Sequence, residues 1–406
     1  MTADRRKRAA SPVVLAAAVT ALCIVGDSML YVVLPVHWEE FGLTAFWQAG
    51  MLLSVNRFVR LPLNPLVARL YRRLPARQGM LGAAALAVAT TLGYGTAGTF
   101  WALLTLRALW GLAWTFLRLG AYFTVMETAA SAERGRAMGL YNGLMRTGSL
   151  FGMLLGGFFA DSLGTGRTCL FFAAVSLAAF PLILAAVPAS ARGMAAAAAE
   201  EEAYDLRAHW RVLAVLAVGT AVAFVYQGML VSTVSYLVRL RLPEGLPLGG
   251  AVIGAAAAGG VLQALRWTWE PWLAPFFGWL SDRPGGRRLL FPGLSAAGAA
   301  LFLALTADLP ILLWTGLLLA AEVTATALTT VGDAVAADTA AHSARVKVMT
   351  LYSMLTDAGA AAGPAAAFLL NGPDTPWASC RLAAVLLLAG AALYLTAAPR
   401  RAESSL

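Results

Sequence analysis

Apolar residues recur along almost the whole chain in long runs, separated by short polar stretches rich in arginine, proline and glycine. A helix crossing a hydrocarbon core about 30 Å thick needs around 20 consecutive apolar residues. Twelve runs meet that demand and are predicted as helices: 13–35, 46–68, 79–98, 101–126, 137–160, 168–188, 211–238, 249–279, 288–307, 310–334, 347–370 and 380–398. None alternates apolar and polar positions at period two, so they do not read as strands of a membrane β-barrel. The first run follows a basic stretch, Arg5 to Arg8, but is too long for a signal-peptide core and lacks a small-residue cleavage site. It is read as an uncleaved first helix.

The longest polar interruption covers 189–210, where the alanines 195–199 lead into Glu200, Glu201, Glu202, Asp205 and Arg207. It divides six runs from six, giving an N-terminal half at 1–188, a linker at 189–210 and a C-terminal half at 211–406. Two internal echoes support a duplication. The stretch Asn64-Pro-Leu-Val-Ala68-Arg69-Leu-Tyr71-Arg-Arg73 is matched by Gly278-Trp-Leu280-Ser-Asp282-Arg283-Pro-Gly285-Gly-Arg287, 214 residues later. Gly148, Gly152 and Gly156 are echoed by Gly359 and Gly363, with 211 residues between Gly148 and Gly359. Small residues every fourth position let two helix backbones approach closely. These glycines therefore either pack helices or let a helix bend or seal as the halves move.

Composition agrees with a membrane protein: 60% of residues are hydrophobic and 13% charged, against roughly 25% charged in soluble proteins. The formal net charge of +9 would suit nucleic acid, but its placement points elsewhere. With a cytoplasmic N-terminus, 20 of the 30 basic residues fall in cytoplasmic segments, whereas Arg167, Arg239, Arg241 and Arg381 fall opposite. That is the positive-inside pattern, and it predicts a multi-pass protein of the cytoplasmic (inner) membrane with both termini in the cytoplasm. Cys23, Cys169 and Cys380 follow no metal or disulfide spacing and read as small core residues. There is no phosphate loop with its lysine, no metal-ligand spacing and no nucleophile elbow, so neither an enzyme nor a bound cofactor is expected.

Ionisable residues inside the runs are the candidates for chemistry. A charge at the centre of a membrane helix costs about 2.5–3.5 kcal/mol on insertion scales, so such residues face a cavity or a partner. Asp27 lies mid-run, close to Tyr31; burial opposes its charged form and a nearby cation favours it. It is either a proton-responsive acid or an acid permanently paired to an arginine. Arg57 and Arg60 share a face of the second helix, and Arg107 and Arg118 lie about three turns apart on the fourth. Arg146 and Arg266 complete six intramembrane arginines, set against Asp27, Glu270, Glu322 and Asp357, with Glu127 and Asp333 nearer helix ends. The basic surplus would hold an anionic or zwitterionic solute, or else pairs with backbone carbonyls and loop acids. Arg266-Trp267-Thr-Trp269-Glu270-Pro271-Trp272 reads as a cavity-lining segment opened by its proline, with an interfacial tryptophan belt as the alternative. His37, His209 and His342 are all shallow, which argues against a histidine proton relay.

The two-half pattern and its motifs resemble the major facilitator superfamily. Gly278-x-Leu280-x-Asp282-Arg283-x-Gly285-x-Arg287 is similar to that family's loop motif between helices 8 and 9. Its first-half copy carries Ala68, Asn64 and Tyr71 instead of the family's acid and glycines. Arg107-Ala-Leu-Trp-Gly111 resembles the motif tied to proton coupling. Gly148-x-x-x-Gly152-Met153-x-x-Gly156-Gly157 resembles the antiporter motif, with Met153 at its usual proline. The resemblance implies an all-α fold of twelve helices in two pseudo-symmetric bundles, acting as a monomer by alternating access around a midplane site. It further implies a proton-coupled permease exporting a small organic solute such as a drug or metabolite. Asp27 and Arg107 would couple protons, and Tyr31, Arg57, Arg118, Arg146, Trp269, Glu270 and Glu322 would bind the solute. Gly278, Asp282, Arg283, Arg287, Gly148, Gly152 and Gly156 would serve the conformational cycle. The partners are then protons, the solute and the bilayer, and not nucleic acid. An uptake symporter for an organic anion and a non-transporting membrane sensor are the alternatives.

Overall fold

A computed structural model describes residues 12–129, 134–187, 210–248, 251–283, 285–341, 345–372 and 374–397. Without water in the hydrocarbon region, each backbone amide must find its acceptor within its own segment, so apolar runs close into helices. Among the described residues twelve helical segments form: α1 Pro12–His37, α2 Phe46–Leu70, α3 Ala76–Tyr94, α4 Phe100–Thr128 and α5 Arg134–Leu163. α6 comprises Thr165–Leu177 and Ala179–Ala186; α7 joins Trp210–Val222, a π-helical stretch Ala223–Leu230 and Val231–Arg241. α8 Ala255–Ser281, α9 Gly286–Ala304, α10 Ile311–Ala341, α11 Arg345–Leu370 and α12 Ala378–Ala397 follow. The linker 189–209, the basic residues Arg5 to Arg8, Arg400 and Arg401, and His209 and His342 lie outside the described residues.

Two expectations need correction. The eighth run was expected to be helical from residue 249, but Ala251–Ile253 instead pairs antiparallel with Leu246–Leu248, and the helix starts at Ala255. Gly245 turns the chain at a positive φ of 81°, and β-branched Val252 and Ile253 suit an extended ribbon better than a first helical turn. Pro271 was expected to open α8, yet α8 continues through both Pro271 and Pro275. A proline removes one donor, and the bonds on either side carry the helix past it. The irregular backbone falls in α7 and at Ala178 instead. By length and composition alone α1, α4, α6, α7, α10 and α12 are apolar enough to span a membrane. The other six carry the extra charge, proline and small residues.

The chain packs as two units: Met1–Ala197 with Ser235–Ala264, and Ala198–Val234 with Leu265–Leu406. In the first, α1 is buried along most of its length and α5 lies against it. A β-carbon at Gly148, Gly152 or Gly156 would collide in turn with the Ala21 carbonyl, the Val25 carbonyl and the Met29 side chain. In the second unit Gly359 and Gly363 of α11 meet the carbonyls of Thr220 and Phe224 in α7 in the same way. The packing role of these glycines is thus visible in both units. All three cysteines are buried and free.

Candidate functional site

Close helix packing builds the first unit's charge centre. Gly111 lets α4 lie so near α2 that a β-carbon there would stand 2.5 Å from the Asn56 carbonyl oxygen. One turn earlier on α4, Arg107 donates from Nε to the Leu52 carbonyl at 2.9 Å and ion-pairs through its guanidinium with Asp27 Oδ1. Asn56 Nδ2 donates to the same Asp27 oxygen at 3.0 Å. Asp27 is 5% exposed and Arg107 1%. Removing one member of such a buried pair leaves an uncompensated charge and costs about 3–5 kcal/mol.

A turn along α1, the Tyr31 hydroxyl accepts from Arg57 Nε at 3.1 Å, and the Arg57 guanidinium stands 5.5 Å from the Tyr31 ring. Arg60 stacks 5.3 Å from the Trp114 ring and lies within electrostatic reach of Asp27. The structure therefore gathers Asp27, Tyr31, Arg57, Arg60 and Arg107 in one neighbourhood. It does not bring Arg118 to them: that residue is exposed, and its Nε donates to the Tyr122 hydroxyl at 3.0 Å. Arg146 is exposed as well.

In the second unit, Arg266 on α8 donates from one terminal nitrogen to Glu322 Oε2 on α10 at 3.1 Å. Glu322 is fully buried and Arg266 5% exposed. Glu270 lies within electrostatic reach of Glu322, and Arg266 stands 5.8 Å from the Trp267 ring. Beside them the Tyr226 hydroxyl bonds the Thr324 hydroxyl at 3.0 Å. The expected cavity-lining run is split by its helical turn: Arg266 is buried, Trp267, Trp269 and Glu270 are half-buried, and Trp272 is 78% exposed. Asp357 and Glu127 are exposed, and Asp333 accepts from the Tyr352 hydroxyl at 2.9 Å.

The loop motif after α8 is a charge cluster. Arg287 donates to Asp282 at 2.7 Å and ion-pairs with Asp338 of α10, while Arg283 stacks 4.0 Å over the Trp279 ring. A β-carbon at Gly278 would meet the Thr330 methyl at an ordinary contact distance of 3.8 Å. The first-half copy works by another device. Tyr71, at a glycine position of the motif, is fully buried against Gly79 and Gly120 and donates to the Phe116 carbonyl at 2.7 Å.

Sequence reading missed three features. Asn56 was overlooked beside the charged Arg57, although an amide inside an apolar run is itself a signal. Tyr226 was one aromatic among many. His37, at the end of α1, bridges Glu40 at 2.7 Å and Asp161 at 2.8 Å, and Asp161 also accepts from the Ala257 amide at 2.8 Å.

The family model described as Major Facilitator Superfamily matches residues 16–269 and 272–406. The chain belongs to that superfamily. Its fold is accordingly the superfamily's all-α fold of twelve membrane helices, so the six less apolar helices also span. Among solved structures, the superfamily member here is similar to a bacterial homologue of the human lysosomal transporter Spinster in an inward-facing, unoccupied conformation. The identity is 17%, the TM-score 0.70, and the match covers 95% of this chain and 96% of that one. The nucleoside transporter NupG matches at 11% identity and a TM-score of 0.74, over 96% of this chain and 99% of that one. A peptide transporter, POT, in complex with sulfate matches at 13% and 0.71, over 95% and 94%. At these identities the likeness is one of fold. No curated protein matches the sequence.

Proposed function

We propose that this superfamily member is a secondary active transporter of the cell membrane, with both termini cytoplasmic, that exports a small organic solute in exchange for protons. One observation carries the reading: a buried carboxylate, Asp27, whose charge is matched by Arg107 and which also accepts from Asn56. Protonating Asp27 cancels the ion pair, while Arg107 keeps its bond to the Leu52 carbonyl. Proton arrival then frees Asp27 from α4 without stripping Arg107 of every partner, which is the property a coupling group needs. Arg57, Arg118, Arg146, Tyr31, Trp269, Glu270 and Glu322 would contact the solute. A guanidinium is too costly to face lipid, so exposed Arg118 and Arg146 support a water-filled path. The fold argues for a monomeric unit working by alternating access.

The surplus of arginines around Asp27 favours a second reading, uptake of an organic anion together with protons. One assay separates them. Inside-out vesicles with an acid interior are loaded with a pH-sensitive dye and challenged with cationic, zwitterionic and anionic solutes. Solute-triggered proton release in the wild type and none in Asp27→Asn is the expected result. Proton movement in the same direction as an anion would instead establish symport. No response to any solute, from folded and correctly oriented protein, would overturn both and leave the sensor reading.

A further inference from the structure

On the face of the second unit that carries the loop motif lies a cavity of about 380 Å³, walled by Arg211, Arg283, Arg287 and Arg288. Its acids are Asp282 and Asp338, and both bond to Arg287. Among the described residues no carboxylate pairs with Arg211 or Arg283; the latter is held by the Trp279 ring. Two further features add positive potential or donors. α9 begins in the cavity wall at Gly286, with glycine as its N-cap and no capping side chain, so the positive end of a 19-residue helix opens there. The Tyr394 hydroxyl lies within electrostatic reach of Arg211, Arg287 and Arg288.

We infer that this cavity binds a phosphate-ester group, held by Arg211 and Arg283, with the first turn of α9 and Tyr394 as further donors. The carboxylates on Arg287 stay in place, so the anion adds to the cluster without breaking it. A free phosphate ester and a phospholipid headgroup offer the same chemistry. The surroundings favour the headgroup: Leu289 is 75% exposed and Trp279 55% exposed beside the cavity, apolar surface that acyl chains would cover. Basic pockets between membrane helices commonly hold anionic headgroups. The site belongs to the second unit and Asp27 to the first, and it shares Asp282, Arg283 and Arg287 with the loop motif expected to serve the conformational cycle.

The test uses the full chain reconstituted in vesicles of phosphatidylcholine mixed with phosphatidylglycerol, followed by native mass spectrometry of the lipid it retains. The wild type is expected to prefer phosphatidylglycerol, and Arg211→Gln/Arg283→Gln to lose that preference by about tenfold to thirtyfold. Arg69→Gln/Arg72→Gln, which removes as much exposed charge elsewhere, is expected to keep it. In lipid-free detergent, inorganic phosphate and glycerol 3-phosphate are added while thermal unfolding is followed. A rise in Tm in the wild type but not in the Arg211/Arg283 variant would support the site with a soluble ligand. Lipid preference without such a rise would support the headgroup. If the double variant does not fold, Arg211→Gln alone, at an exposed helix start, is expected to weaken the preference about fivefold. An unchanged preference in a folded Arg211 variant, or an equal loss in the Arg69/Arg72 control, would overturn the proposal.

Discussion

In the first unit the buried carboxylate of Asp27 accepts from two donors, and its partner Arg107 has a backbone carbonyl in reserve. In the second unit Glu322 accepts from Arg266 alone, and its Oε1 has no hydrogen-bond partner among the described residues. The glycine seams make the comparison sharper. They set Ala21 of α1 against Thr220 of α7 and Val25 against Phe224, so Tyr226 stands where Asp27 stands in the other unit. The duplicated frame thus holds a titratable acid at one position and a phenol at its equivalent. Neutralising Asp27 leaves Arg107 its Leu52 carbonyl, while Arg107 Nη2 and Asn56 Oδ1, like Glu322 Oε1, have no hydrogen-bond partner among the described residues. In the second centre, neutralising Glu322 leaves Arg266 facing only the Trp267 ring and an acid further off, Glu270. Under the proposed function, the first centre would exchange the proton and the second would hold the solute.

The largest effect that would break this comparison is expected from Arg107→Met, which strands Asp27 and should cost about 3–5 kcal/mol in thermal unfolding. Asp27→Asn/Arg107→Met should recover most of that loss, because no buried charge remains. Strict additivity of the two single variants would mean that the pair is not an energetic unit. Next comes Glu322→Gln, expected to cost about 3 kcal/mol. Asp27→Asn also leaves a buried charge, but should cost less than either of these, because Arg107 keeps the Leu52 carbonyl and meets an amide oxygen. Reversal of that order would remove the distinction between the centres. The smallest effect is Tyr226→Phe, a loss of about 1 kcal/mol from the Thr324 bond with proton movement unchanged. Loss of proton movement in this variant would show that both units share the task.

The helices were legible because lipid leaves the backbone no alternative, and Asp27 was legible as a buried, paired acid because a carboxylate in an apolar run needs a partner. Arg107 followed from its motif. What the sequence hid was rotation: a helix that is apolar all round carries no stripe to say which way Arg118 or Arg146 faces. Asn56 was hidden because an amide carries no charge to betray it. The hairpin before α8 was concealed by hydropathy, which rates Val252 and Ile253 equally in strand and helix. Tyr71 was visible only as a departure from a motif, and no pattern in the sequence marks it as a buried, hydrogen-bonded packing residue.

Asp161 carries a consequence for how the chain is made. Its two oxygens serve partners 124 residues before it and 96 residues after it, His37 and the Ala257 amide. Synthesis runs in one direction, so His37 is waiting when Asp161 emerges, but the amide arrives only after the linker, α7 and the hairpin have been threaded. Until then the end of α5 holds an acid one partner short. Gly254 leaves room for that acid at the moment of closure, because any side chain there would meet the carboxylate. The start of α8 is therefore a late keystone: six helices can be inserted without it, but the joint between α1 and α5 is finished only by a segment translated long afterwards.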